Sequence, residues 1–164
     1  MEYTSAPLSF LPSGRSIKIE RTIKERITMM DNLVELVVFT PRGSFHADPD
    51  FGLEYWNYEY ANFSDTQFNN NIGLDEYSQQ SAKERCEASI AESIMAYAPD
   101  KLKIREIHVT MCMEDNETTR KGEWSHHKVG ICITAKIDDG LGTTFDYDRS
   151  ISFMVEPTVK KISI

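Results

Sequence analysis

Apolar residues recur at helical spacing early in the chain: Ile23, Ile27, Met30, Val34 and Val37 follow one another at steps of four and three, which is the period of one helix face. A helix over residues 22–39 is expected. Pro41 stops it, because proline has no N–H and restricts the residue before it, and Gly43 supplies a turn. A second helical face runs through Ala82, Cys86, Ile90, Ile94 and Tyr97, with Ser78 as N-cap and Pro99 after its end. The pattern then changes to alternation, the mark of strands with one face buried. Ile107, Val109, Met111 and Met113 form one such run. Val129, Ile131, Ile133, Ala135 and Ile137 form the next, and Phe145, Tyr147, Ile151, Phe153 and Val155 the last, interrupted by Arg149. The short glycine-bearing stretch from Asp138 to Gly142 is a hairpin connection, so the last two strands should pair antiparallel.

Two helices ahead of three strands predict an α+β fold. The helices pack on one face of a mainly antiparallel sheet that ends in a three-stranded meander. Residues 1–15, with Pro7, Pro12 and Gly14 and no periodicity, read as an N-terminal arm. Residues 16–157 then make a single domain, a reasonable size for one core in a chain of 164 residues, and 158–164 a tail.

Composition narrows the function. The net charge of −8 opposes binding to a phosphate backbone, and no basic patch stands out, so nucleic acid is not expected as a partner. No apolar run reaches the roughly 20 residues that cross a bilayer, and the N-terminus has no secretory pattern, so a cytoplasmic location is expected without membrane insertion. The cysteines, Cys86, Cys112 and Cys132, are odd in number and widely spaced, which offers no disulfide framework or CxxC motif. They read as buried hydrophobes or sheet-face residues.

The segment TPRGSFHADPDFGLEYW, residues 40–56, concentrates the candidate chemistry. His46, Asp48 and Asp50 alternate as metal ligands on a strand would, but Pro49 opposes a strand and no further ligand is nominated, so a loop whose Asp side chains bond nearby backbone N–H groups is the simpler reading. Asp50-Phe51-Gly52 matches the kinase magnesium triplet without the glycine-rich loop, strand lysine and catalytic loop that give it meaning. Glu54, Glu59 and Asp65 beside Tyr55, Trp56, Tyr58 and Tyr60 are a possible carboxylate pair with aromatic faces for sugars. A short strand with Tyr55 and Asn57 on one side and Trp56, Tyr58 and Tyr60 on the other explains them as packing or a protein contact. His126 and His127 are adjacent and would face opposite ways on a strand. No catalytic residue, metal site or cofactor is assigned.

Thr40, Gly43, Asp48, Pro49, Phe51, Gly52 and Trp56, after the apolar helix end LVELVVF, resemble the GPW family of small baseplate wedge proteins from contractile tails. Within it the chain is most similar to the TssE-like members of type VI secretion systems, in their Bacteroidetes version. The element order agrees from about Ile17 to Pro157. The resemblance implies a structural subunit, not an enzyme, that links the baseplate wedge to the first sheath ring and supports sheath assembly. Its partners would be the larger, TssF- and TssG-like wedge subunits and sheath subunits in a hetero-oligomeric assembly. Thr40, Gly43, Asp48, Pro49, Phe51, Gly52, Tyr55, Trp56, Pro99 and Asp100 become partner-contact candidates, and the strand from Thr143 to Val155 the edge to which neighbouring chains add strands. Two positions depart from the pattern: Ser44 stands where the family carries glutamate, and Ala98-Pro99-Asp100 where it carries Glu-Pro-Arg. A phage-like tail particle, a sugar-active enzyme and a free-standing adaptor are the alternatives.

Overall fold

The computed structural model describes residues 14–57, Phe68, 82–115 and 127–155. Helix α1 spans Gly14–Val38, α2 spans Ala82–Tyr97, and a 3₁₀ turn, Glu54–Trp56, follows α1. Strands β1 (Ile104–Asp115), β2 (His127–Asp138) and β3 (Thr144–Val155) form an antiparallel sheet in the order β1-β2-β3. The α+β expectation holds.

α1 starts at Gly14, inside the segment expected to be an arm and well before residue 22. Its first two turns, GRSIKIER, show no apolar period, but Arg, Lys and Glu are good helix formers and no proline lies between Pro12 and Pro41, so propensity extends the helix where periodicity gives no signal. Met30, Leu33, Val34, Val37 and Val38 are the buried stripe. Ile27 is exposed instead of lining it, because near that end α1 meets the β2–β3 turn through the polar Arg26, whose guanidinium donates to the Asp138 carbonyl.

α2 buries Ala82, Cys86, Ile90 and Ile94 as expected, together with Ser89 and Ser93. Tyr97, expected on that face, is 40% exposed. Its hydroxyl donates to Asp48 Oδ2 at 2.7 Å, so the ring turns out towards the loop after α1. Burial pushes the Cys86 thiol up, and it stays a neutral packing group. Ser78 lies outside the described residues.

The strands bury one row of side chains and expose the other. Met111, Met113, Val129, Ile131, Ile133, Ala135, Ile137 and Tyr147 join the helix stripes in one core, while the outward row, including His108, Cys112, Cys132 and Asp148, faces solvent. Arg149 occupies the inward row without ending β3. It pairs with Asp31 at 2.7 Å and with Glu35, both on α1, and Tyr147 donates to the same Asp31 carboxylate at 2.7 Å. The break in the apolar pattern is thus a polar clasp between helix and strand.

The β2–β3 connection is the expected hairpin. Gly140 and Leu141 donate backbone N–H bonds to the carboxylates of Asp138 and Asp139 at 2.7 and 2.8 Å. The Gly140 amide holds Asp138 below the usual carboxylate range, and the Thr143 hydroxyl does the same for Asp139.

Candidate functional site

Residues 40–57 close a corner between the end of α1 and the middle of α2. The helix ends with its last carbonyls partly satisfied by side chains: the Thr40 hydroxyl donates to the Leu36 carbonyl at 2.6 Å, and Trp56 Nε1 donates to the Val38 carbonyl at 2.6 Å. The chain then doubles back. Leu53 N–H donates to the Thr40 carbonyl at 2.9 Å and Arg42 N–H to the Leu53 carbonyl at 3.2 Å, so positions 40–42 and 53 run side by side as an isolated parallel bridge. Gly43 (φ +87°) makes the turn, its N–H bonded to the Pro49 carbonyl at 2.9 Å.

Gly52 is the tightest point. Its φ is +107°, and a Cβ there would run into the Thr40 carbonyl and come within 3.3 Å of Arg42 N. Only glycine lets the two arms of the loop close to bonding distance.

Two buried serines of α2 hold the returning arm. Gly52 N–H donates to Ser93 Oγ at 3.0 Å and Glu54 N–H to Ser89 Oγ at 3.2 Å. Each hydroxyl in turn donates back to its own helix, Ser93 to the Ser89 carbonyl at 2.7 Å and Ser89 to the Cys86 carbonyl at 2.8 Å. Each serine therefore satisfies a buried loop amide while leaving no dangling hydroxyl proton. The sequence signal was a serine pair at i and i+4 beside the apolar stripe of α2.

Charge fixes the same arm from outside. Glu54 lies 3.8 Å from Arg42 and 3.7 Å from Arg85 of α2, and Arg42 also reaches Asp50 at 3.1 Å. Asp48 has both oxygens engaged, one by Asp50 N–H at 3.0 Å and the other by Tyr97. The Asp48 carboxylate raises the Tyr97 hydroxyl above its ordinary value. The alternating His46, Asp48 and Asp50 thus lie in a turn, not on a strand. Asp48 bonds backbone and Tyr97 as an Asx loop does. No group of three metal-ligating side chains occurs among the described residues.

The aromatic run after Gly52 also departs from the expected strand. Glu54–Trp56 is a 3₁₀ turn, because the amide bonds to Ser89 and Ser93 fix its start and Asn57 N–H closes it on the Glu54 carbonyl at 2.9 Å. Tyr55 is fully buried against Phe68, Phe153 and Met113, whereas Trp56 stacks on Phe153 with ring centroids 5.0 Å apart. Phe153 meets Phe39 at 6.0 Å, so the corner and the end of β3 share one aromatic cluster. Tyr58, Glu59, Tyr60, Asp65 and His126 lie outside the described residues.

The partner-contact candidates therefore separate. Phe51, Gly52 and Tyr55 are buried, so their work is to build the corner. Thr40, Asp48 and Trp56 are half-buried, and Gly43, Pro49, Pro99 and Asp100 are exposed. These last seven positions are where a partner can reach.

The sheet adds an edge. Met111 N–H donates to Glu87 Oε1 of α2 at 2.7 Å, so the outer side of β1 is capped by a helix side chain. The opposite edge differs. Asp138 N–H bonds to the Lys103 carbonyl and Asp139 N–H to the Thr143 carbonyl, both at 2.9 Å, so even residues of β2 turn towards β1 and odd ones towards β3. Through the pairs Ile131–Ile151 and Ile133–Arg149, odd residues of β3 face β2. The backbone groups of Asp146, Asp148, Ser150, Ser152 and Met154 then point to the free side, where no strand pairs with β3 among the described residues.

No family model matches the chain, and no curated protein matches it.

Proposed function

We propose that the chain is a structural baseplate wedge subunit of a contractile injection machine, a TssE-like component of a type VI secretion system that joins the wedge to the first sheath ring. The observation that carries this reading is the corner at residues 40–57. The positions on which the family resemblance rests are the ones that lock together: Thr40 and Gly52 at the close approach, Gly43 and Pro49 at the turn, Asp48 and Phe51 against Tyr97, and Trp56 on the helix end.

The free side of β3 suits the role physically. An added strand would gain main-chain hydrogen bonds from alternate residues between Asp146 and Met154, and the neighbouring Phe39–Phe153–Trp56 cluster would give it an apolar anchor. Such a subunit is a scaffold, and its larger wedge and sheath partners would complete the sheet.

Deleting the gene and imaging sheaths in the native host tests the proposal. Loss of assembled sheaths, restored by the wild-type chain, is expected; normal sheath number and length in the deletion strain would overturn it.

A further inference from the structure

β3 is a sheet edge without the usual guards. Its 12 residues include no proline and no lysine, and its pairing with β2 runs from Thr144 to Val155 without a bulge. Free edges are commonly blunted by such features, and the β1 edge carries both a bulge near Ile104 and the Glu87 carboxylate on the Met111 amide. The inward charge of β3, Arg149, is already neutralised by Asp31 and Glu35. Apolar cover also thins towards this side. Val129, Ile131, Ile133 and Ile137 of β2 are buried, whereas Phe145, Ile151, Phe153 and Val155 of β3 are only half-buried. Phe39, which meets Phe153, is 54% exposed. A half-covered apolar strip thus runs beside backbone groups that no strand pairs with among the described residues.

The sequence of β3 is complementary to itself in one register. When two identical strands pair antiparallel, the side chains of opposed residues share a face only if their positions sum to an even number. Two such registers overlap residues 144–155 most fully, one centred on Arg149 and one on Ser150. The first sets two guanidinium groups opposite each other, which is unfavourable. The second sets Tyr147 opposite Phe153, Phe145 opposite Val155 and Arg149 opposite Ile151 on the inner face. On the outer face it sets Asp148 opposite Ser152 and Asp146 opposite Met154, so no like charges meet. The inner pairs are the ones without mutual hydrogen bonds, where side chains approach closest. The even residues, whose N–H and C=O groups point to the free side, then bond one another across the axis.

We infer that two copies of the isolated chain join β3 to β3, antiparallel about a two-fold axis at Ser150, into one continuous sheet. Each copy covers the other's half-buried strip, with the Tyr147–Phe153 contact made twice by symmetry. Such pairing goes beyond the proposed role, because it needs no other chain; a partner's strand on the same edge would displace the second copy.

Sedimentation velocity of the purified chain at increasing concentration tests this. A species of twice the 18.8 kDa chain mass is expected to grow in. Ser150→Pro removes an amide on the free side and leaves the β2 ladder intact, so it should stay monomeric with an unchanged far-ultraviolet spectrum. A second measurement reads the register and does not depend on that variant. With Cys112→Ser and Cys132→Ser, only the buried Cys86 remains. Ser150→Cys in this background sets two thiols across the axis with Cα atoms about 5.5 Å apart, within disulfide reach, so diamide should link the copies. Asp148→Cys sets its two thiols about 14 Å apart and should not link them. A monomer at every concentration, a dimer that a folded Ser150→Pro leaves intact, or equal linking through Asp148→Cys and Ser150→Cys would overturn the inference. Capture of wedge subunits from the host is a separate readout, so the proposed role stands or falls independently.

Discussion

Replacing Gly52 with alanine tests the corner where it is tightest. At φ +107° a residue with a Cβ carries strain of about 1–3 kcal/mol. The new Cβ also collides with the Thr40 carbonyl, the acceptor of Leu53 N–H at 2.9 Å. Moving that carbonyl aside weakens a buried hydrogen bond worth about 1 kcal/mol. The combined loss is about 2–4 kcal/mol, a large part of the 5–15 kcal/mol typical of a domain. Gly43→Ala is the internal control. It has φ +87° but nothing within 4 Å of an added Cβ, so it carries only the backbone strain, about 1–2 kcal/mol. Both substitutions restrict the unfolded chain equally, so that contribution cancels in the comparison. Denaturant unfolding of the two variants and the wild type gives the difference directly. Gly52→Ala should be the less stable by about 2 kcal/mol, near 4–8 °C in melting temperature for a chain of this size. Equal stabilities within about 0.5 kcal/mol would refute the claim that the close approach of positions 40 and 52 holds the corner.

Ser93→Ala removes the acceptor of the buried Gly52 amide and should cost about 1–3 kcal/mol by the same unfolding assay. Trp56→Phe keeps the stacking on Phe153 but loses the bond to the Val38 carbonyl, so a cost of about 1–2 kcal/mol is expected, with near-ultraviolet dichroism showing the aromatic cluster otherwise intact. Gly130→Ala meets only the end of the Cys112 side chain, at 2.9 Å, which can rotate away. Its cost should stay below about 1 kcal/mol, with Cys112 reacting faster with a thiol reagent as its sulfur is displaced. The hairpin carboxylates give a pH signature. Asp138 and Asp139 titrate below the ordinary value of about 3.9 when folded, so their stabilisation is complete above that value and disappears as pH falls through the lower folded values. Thermal melts between pH 5 and 2 should show a steeper fall for the wild type than for Asp139→Asn.

The helices and strands were legible because each buries a single face against one core, and a single buried face writes its period into the sequence. Val34, Val37, Ile90 and Ile94 announce helices in this way, and the odd residues of β2 announce a strand. What failed to register is polar. The first turns of α1 carry no apolar period in the sequence, so only propensity marks them. Ser89 and Ser93 look like solvent-facing residues of an amphipathic helix, and only the loop lying over them shows that they are buried acceptors. Arg149 looked like an interruption because its partners, Asp31 and Glu35, lie more than 100 positions away. In residues 40–57 the turn was readable from Pro41 and Gly43. The short strand expected from the aromatic alternation was not formed, since two hydrogen bonds from α2 impose a 3₁₀ turn that no local pattern encodes.

The role proposed for this chain is to join larger assembly partners. Affinity capture of the tagged chain from its native host, followed by mass spectrometry, addresses it most directly. Recovery of the larger wedge subunits and sheath subunits, reduced when Gly52→Ala loosens the corner, is the predicted result. A chain recovered intact and folded with none of these subunits would contradict the account.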